Sequence, residues 1–339
     1  LALHAEGPKA ELFGGISGAG LLPPSRLLLV SDAGRMFSAD LEIELVAGGI
    51  ARPTGLGRAY VGGQQTQETH DMESVAVRRP LGDAFVGVEE VLAVERFAGI
   101  EHFNLPGPPS AGPATAPMAA LAASSGGASA AGAKVPRVGG AGGKALTTCR
   151  SHFRNHGPEA VATLRGGVPG GDQLLFVACE RNAPNASDSE TLAWAMEAST
   201  GEIRASYTLE LPEVSDVPGA FYRVAGVASL PDTDDLVVLF GFWSLSTGNR
   251  ILLGRIRPPI GRPGAPAVAR LRPTTVLAID RDDTSCLDNF EAVFVQRSIG
   301  GAFTVHLLSD DNFNEGPQRQ RTLFLSVLLE EAADKATAA

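Results

Sequence analysis

The apolar positions of this chain fall into short runs that return in the same order. Ser17-Gly18-Ala19, Glu73-Ser74-Val75-Ala76, Glu159-Ala160-Val161-Ala162, Ala225-Gly226-Val227-Ala228 and Glu291-Ala292-Val293-Phe294 share one form, a strand-like unit with a small residue at its centre. About ten to fifteen residues further on, each is followed by a more continuous apolar run. These runs are Leu27 to Asp32, Ala84 to Glu89, Leu174 to Glu180, Leu236 to Phe240 and Val305 to Asp310. A third apolar strand follows in every unit: Met36 to Leu45, Val91 to Phe97, Thr191 to Ala198, Arg250 to Ile256, and Thr322 to Leu329. Fourth strands are weaker, with Glu202 to Leu211 and Thr274 to Ile279 the clearest.

Strand, turn, strand, turn, strand at a repeat of roughly 55 to 65 residues is the pattern of a β-propeller blade. A sandwich also carries many short strands, but it does not restart the same small-residue strand each time. The sequence therefore predicts an all-β fold, a β-propeller of five or six blades of four-stranded antiparallel sheet. It forms a single domain over 1–330, with 331–339 as a C-terminal tail. The segment before Gly14 is available as a closing strand for the last blade. From Leu105 to Lys144 the composition collapses to Pro, Ala, Gly and Ser. So little apolar surface cannot offset the entropy of ordering, and 105–144 is expected to be a disordered insertion. The same pattern runs on both sides of it, so it is not a linker between two folds.

Composition narrows the function. Across 339 residues, 28 Lys+Arg stand against 38 Asp+Glu, a formal net charge of -10. That balance lacks the basic footprint of phosphate-backbone binding and argues against nucleic acid as a partner. No apolar run approaches the roughly 20 residues that span a bilayer as a helix. Cys149, Cys179 and Cys286 have neither metal-ligand spacing nor an even count. They read as small buried hydrophobes, with one bridge left open.

The repeat also orders the carboxylates. In an antiparallel blade the start of the first strand and the end of the second lie on the same edge. Glu73, Glu159 and Glu291 start innermost strands, while Asp32, Glu89, Glu180 and Asp310 end second strands. All should converge on one face, the three glutamates ringing the mouth of the central channel. Unit one offers Ser17 at the equivalent place, and unit four offers Ala225, with Phe242 where the others end in an acid. Carboxylates crowded into a narrow mouth repel one another and take up protons or recruit a cation. A hard divalent ion suits such oxygen ligands, calcium first, with magnesium or manganese as competitors. Asn155, Asn289 and Asn312 lie close enough in sequence to complete a shell. The plainer alternative is that these acids cap strands and keep the face soluble.

Several motifs together resemble one family. Gly15-Ile16-Ser17-Gly18 with Val30-Ser31-Asp32, Asn155-His156-Gly157-Pro158-Glu159-Ala160, Asp288-Asn289-Phe290-Glu291-Ala292, and above all Leu308-Ser309-Asp310-Asp311-Asn312-Phe313-Asn314 followed by Gln320-Arg321-Thr322, occur in family order. They are similar to the "esterase-like activity of phytase" family, also called phytase-like domains. That resemblance implies a β-propeller, commonly exported to a secreted, periplasmic or lumenal location. It also implies hydrolysis of esters or phosphate esters, and calcium.

A calcium-dependent hydrolase would draw its metal ligands from Asp32, Glu73, Glu159, Glu291, Asp310 and Asn312. Asp311 or Glu180 would serve as base, and His156, three residues before a channel glutamate, is a further catalytic candidate. Arg154, Arg181, Arg319 and Arg321 can hold a small anionic substrate, or else pair with the same acids as surface charges. Serine catalysis is disfavoured because no G-x-S-x-G elbow exists, and no H-E-x-x-H, P-loop or dinucleotide fingerprint is present. Two other readings remain open: a lactonase-type propeller that opens a sugar lactone with one divalent ion, and a non-catalytic propeller that binds a protein partner. The apolar fourth unit motivates the second.

Overall fold

The computed structural model describes residues 14–22, 26–46, 50–62, 70–78, 83–91, 96–104, 146–149, 157–164, 173–181, 188–260, 268–280, 287–297, 301–311 and 322–329. The expected insertion at 105–144, the segment before Gly14 and the tail at 331–339 lie outside the described residues.

Among the described residues, nineteen strands form five sheets. The first holds β1 (Ile16–Leu22), β2 (Arg26–Ser31), β3 (Arg35–Val46) and β4 (Ile50–Gly62). The second holds β5 (His70–Arg78), β6 (Asp83–Val91) and β7 (Arg96–Asn104). The third is built from β8 (Pro158–Leu164), β9 (Leu174–Cys179), β10 (Glu190–Glu197) and β11 (Ile203–Glu210), with β15 (Val268–Leu271) added at its edge. The fourth comprises β12 (Arg223–Ser229), β13 (Leu236–Ser244), β14 (Gly248–Ile256) and β16 (Thr274–Asp280). The fifth comprises β17 (Asn289–Arg297), β18 (Phe303–Asp310) and β19 (Phe324–Leu329).

The first strands of successive sheets pack against one another in a cycle, β1 on β5, β5 on β8, β8 on β12, β12 on β17, and β17 back on β1. This is a β-propeller, with the five first strands lining its centre. Each seam has its own core. On β9, Leu174, Phe176 and Ala178 face the fourth sheet, whereas Leu175, Val177 and Cys179 face the second. On β13, Leu236, Val238 and Phe240 face the third sheet, and Val237 and Leu239 face the fifth. On β2, Leu27 and Leu29 meet the fifth sheet, while Leu28 and Val30 meet the second. Alternate side chains of a strand point to opposite faces, and here both faces are covered. That is why the second strand of each unit reads as an unbroken apolar run rather than an alternating one.

One predicted strand needs correction, and one further strand is not among those predicted. Val91 to Phe97 is not one strand: β6 ends at Val91 and β7 begins at Arg96, running on to Asn104. The apolar content of the interval misled because it joins the end of one strand to the start of the next. Nor does the fourth unit feed only its own sheet. After β14 the chain crosses to pair β15 in parallel with β11, Ser206 opposite Val268, before returning as β16. This covers the outer edge of β11, whose N–H and C=O groups would otherwise face solvent.

Cys149 and Cys179 form a disulfide between a short 3-10 helix, Thr147–Cys149, and the end of β9. Both residues are fully buried. Of the two readings the sequence leaves open, buried thiols or one bridge, this pair takes the bridge, since count and spacing in a sequence do not report which residues the fold brings together. Cys286 lies outside the described residues.

Candidate functional site

In every sheet the ladder between first and second strands slips at the same place. The register breaks between Ile16 and Gly18, Met72 and Ser74, Pro158 and Ala160, Val224 and Gly226, and Phe290 and Ala292. The residues left over are Ser17, Glu73, Glu159, Ala225 and Glu291, the equivalent positions of the sequence repeat. A bulge of this kind re-aims one side chain without ending the strand. The next residue is always small: Gly18, Ser74, Ala160, Gly226 or Ala292. Neighbouring first strands crowd there, so a Cβ on Gly226 would stand 2.6 Å from the Glu291 carbonyl oxygen and one on Gly18 2.8 Å from the Ser74 Cα.

Opposite each bulge the second strand delivers its acid. Asp32 and Glu180 donate their N–H groups to Gly15 O and Gly157 O at 3.0 and 3.2 Å, Asp310 pairs with Asn289, and Glu89 with Asp71. In the fourth sheet the same register pairs Arg223 with Gly241. Gly241, not Phe242, is therefore the counterpart of the acids. The error came from judging the strand's end by its apolar run, because β13 continues past the mouth to Ser244.

Arg223 is the residue that sequence reasoning missed. Its Nη1 donates to Glu180 Oε1 at 2.7 Å, and its Nη2 donates to Asn289 Oδ1 at 3.3 Å and lies 3.7 Å from Glu291 Oε1. Asn289 Nδ2 in turn donates to Glu291 Oε1 at 2.7 Å. The side chains of Glu180 and Glu291 are only 3% and 14% exposed. Burial alone would lower the Arg223 pKa, but Glu180, Glu291 and Glu159 together raise it and hold the guanidinium charged. Burial pushes the Glu291 carboxyl up to about 7; Arg223 and the Asn289 hydrogen bond oppose the rise, and Asp32 and Glu180 add to it. Buried groups with perturbed proton affinity in one cleft mark a candidate functional site.

The other expected site residues divide. Glu159 and Asp310 are buried, 8% and 1% exposed, and Asp32 and Glu73 are half-buried. Arg181 is exposed immediately after Glu180. Asp311 is engaged in a tie described in the Discussion. His156, Arg154, Asn312, Arg319 and Arg321 lie outside the described residues.

Among the described residues, no three Asp, Glu, His or Cys side chains are grouped so as to hold a metal ion. At Glu180 and Glu291 a guanidinium fills the place a cation would take. The residues present therefore do not fit a divalent ion at that pair.

One further side chain belongs to this mouth. A Cβ on Gly241 would lie 3.8 Å from Arg223 Nε. Side chains alternate along a strand, so Trp243 projects on the same side one step beyond the rim. It is 58% exposed, and Leu245 in the following turn is 92% exposed. The turn is held by the Thr247 N–H on Ser244 Oγ at 3.1 Å and by Gly248 at φ 71°.

Comparison with known proteins gives a family and a fold. The family model described as Phytase-like, esterase-like activity of phytase, matches residues 11–313. No curated protein matches the chain. Among solved structures, a thermostable family-43 glycoside hydrolase superposes with a TM-score of 0.50 at 11% identity, over 95% of this chain and 91% of that one. The Bacteroides ovatus xyloglucan PUL GH43B protein gives 0.48 at 10% identity, over 96% of this chain and 52% of its own. An exo-β-1,3-galactanase from Clostridium thermocellum gives 0.46 at 8% identity, over 98% and 63%. The chain thus spans between half and two thirds of the length of these last two. At such identities the likeness bears on fold alone.

Proposed function

This chain belongs to the phytase-like family, and we propose from that premise that it hydrolyses neutral carboxyl esters at the acidic mouth of its propeller. The observation that carries the reading is the line Glu180, Arg223, Asn289, Glu291, in which a nearly buried carboxyl accepts the Asn289 amide and lies 3.7 Å from the Arg223 guanidinium, with a pKa brought to about 7. A general base works best with a pKa near the ambient pH. In this mechanism ionised Glu291 takes a proton from water as the water oxygen adds to the ester carbonyl. The proton then passes to the departing alkoxide as the C–O bond breaks, giving acid and alcohol. Arg223 is a positioning residue: it fixes Asn289, which orients Glu291, and it pairs with Glu180 beside them.

Charge selects the substrate class. Among the described residues, Asp32, Glu159, Glu180 and Glu291 act together on this spot against the Arg223 guanidinium. A dianionic phosphate monoester would enter a negative field, whereas a neutral ester meets no such cost. The same preference admits an internal ester, so a lactone stands as the second reading. Trp243, exposed at the rim, offers a flat face to a ring in either substrate. The buried Cys149–Cys179 bridge supports an oxidising compartment for the protein.

Hydrolysis of a carboxyl ester, a sugar lactone and a phosphomonoester, each with calcium and with EDTA, tests the reading. It predicts turnover of the carboxyl ester or the lactone, lost in Glu291→Gln and indifferent to EDTA. Preferred turnover of the phosphomonoester would overturn the charge argument. No turnover of any substrate by the folded protein would leave a binding module.

A further inference from the structure

We infer that the mouth carries its own cation: Arg223 stands in place of a divalent ion among Glu159, Glu180 and Glu291, and removing it turns this spot into a calcium site. The inference goes beyond the proposed reaction and holds whether or not the mouth turns over an ester.

Three observations carry it. The fourth sheet has given up both of the acids that its neighbours supply. Its bulged residue is Ala225 where the third and fifth sheets have Glu159 and Glu291, and its strand-end residue is Gly241 where they have Glu180 and Asp310. In the same register it has gained a cation. Arg223 sits two residues before the bulge, where the other sheets place Gly15, Asp71, Gly157 and Asn289. Finally, the guanidinium is seated rather than loose. It reaches Glu180 at 2.7 Å and Glu291 at 3.7 Å across two different seams.

The fourth unit, which looks degraded as sequence, is therefore an exchange of charge. Where the neighbouring sheets carry carboxylates this one has Ala225 and Gly241, and two residues before the bulge it carries a cation. A guanidinium offers fixed, planar donors to carboxylates on either side and is never deprotonated in this range. Unlike calcium, it cannot be taken away by a chelator. The oxygen ligands it holds, two glutamates from neighbouring sheets with Glu159 and the Asn289 amide oxygen nearby, are of the kind a hard cation takes once the guanidinium is gone.

Isothermal titration of the full chain with calcium chloride, without any activity measurement, tests this. The wild-type protein should give no calcium binding that depends on Glu180. Arg223→Ala should bind one calcium ion at least about 100-fold more tightly than wild type, the scale expected when a unit charge a few ångströms away is removed. Adding Glu180→Gln to Arg223→Ala should abolish the gain. Two results overturn the inference: stoichiometric calcium bound by wild type and lost in Glu180→Gln or Glu291→Gln, or a folded Arg223→Ala that gains no calcium. If Arg223→Ala fails to fold, Arg223→Gln is read in the same way. If both fail, the wild-type titration decides alone, with Glu291-dependent calcium against the inference and its lack in favour.

Discussion

The Asp311 carboxylate accepts the Gly15 N–H at 2.8 Å, joining residues 296 positions apart, and its other oxygen accepts the Thr322 hydroxyl at 3.1 Å. This ties the end of β18 and the approach to β19 to the start of β1. Gly14, at φ 150°, leaves the room: a Cβ there would stand 2.7 Å from the same carboxylate. The sequence suggested Asp311 as a base; in the fold its carboxylate bridges the first and last sheets. Asp311→Ala should lose about 2 kcal/mol, the worth of a charge-assisted hydrogen bond, in denaturant unfolding. Asp311→Asn, which keeps one acceptor, should lose less, and both folded variants should retain turnover.

The Cys149–Cys179 bridge closes a loop of 30 residues between two fully buried positions. On the chain-entropy model such a loop contributes about 3 to 4 kcal/mol. Reduction, or Cys149→Ala, should lower the unfolding free energy by that amount and the denaturant midpoint with it. An unchanged midpoint would mean that the bridge adds nothing to the packing of Leu146, Val177 and Trp194 around it.

His306 gives the fold a pH dependence separate from the mouth. Its ring is fully buried, stacked 4.6 Å from Phe294, with Nδ1 2.9 Å from Ser326 Oγ. Burial lowers its pKa to about 4 from an ordinary 6.5. The unfolded chain therefore binds the proton first. The stabilisation, about 3 kcal/mol by linkage, is present above about pH 6.5 and is lost as pH falls through about 4. Urea midpoints measured across that interval should fall for wild type and stay flatter for His306→Phe.

Trp243 is one of two tryptophans, and Trp194 is only 6% exposed. Quenchable, red-shifted emission therefore reports Trp243. A ring-bearing ester should change that emission on binding, and Trp243→Ala should raise KM with kcat nearly unchanged. Emission indifferent to saturating substrate would remove Trp243 from the site.

Much of this architecture is legible before the structure. Ser17, Glu73, Glu159, Ala225 and Glu291 announce themselves as equivalent because a bulge and a crowded centre demand a small residue just after each. Their structural register bears that out. The double-sided burial of β2, β9 and β13 is visible as apolar runs. Arg223 is not legible. Its role depends on Gly241 being its cross-strand partner, and nothing in the apolar run Leu236 to Phe240 says which residue ends at the mouth. The cross-over of β15 to β11 is likewise hidden, since a four-residue strand carries little periodicity and its partner belongs to a different repeat unit of the sequence.

The account turns on Glu291 acting as a base whose proton affinity Arg223 helps to set. The most direct measurement is the pH dependence of kcat/KM for a neutral carboxyl ester in wild type and in a folded Arg223→Met. Wild type should rise through an inflection near 7, as Glu291 ionises, and then level off. Removing the guanidinium takes away the pull that opposes burial, so the inflection should move to higher pH. A profile flat across this range, or an inflection that stays in place without Arg223, would contradict the account.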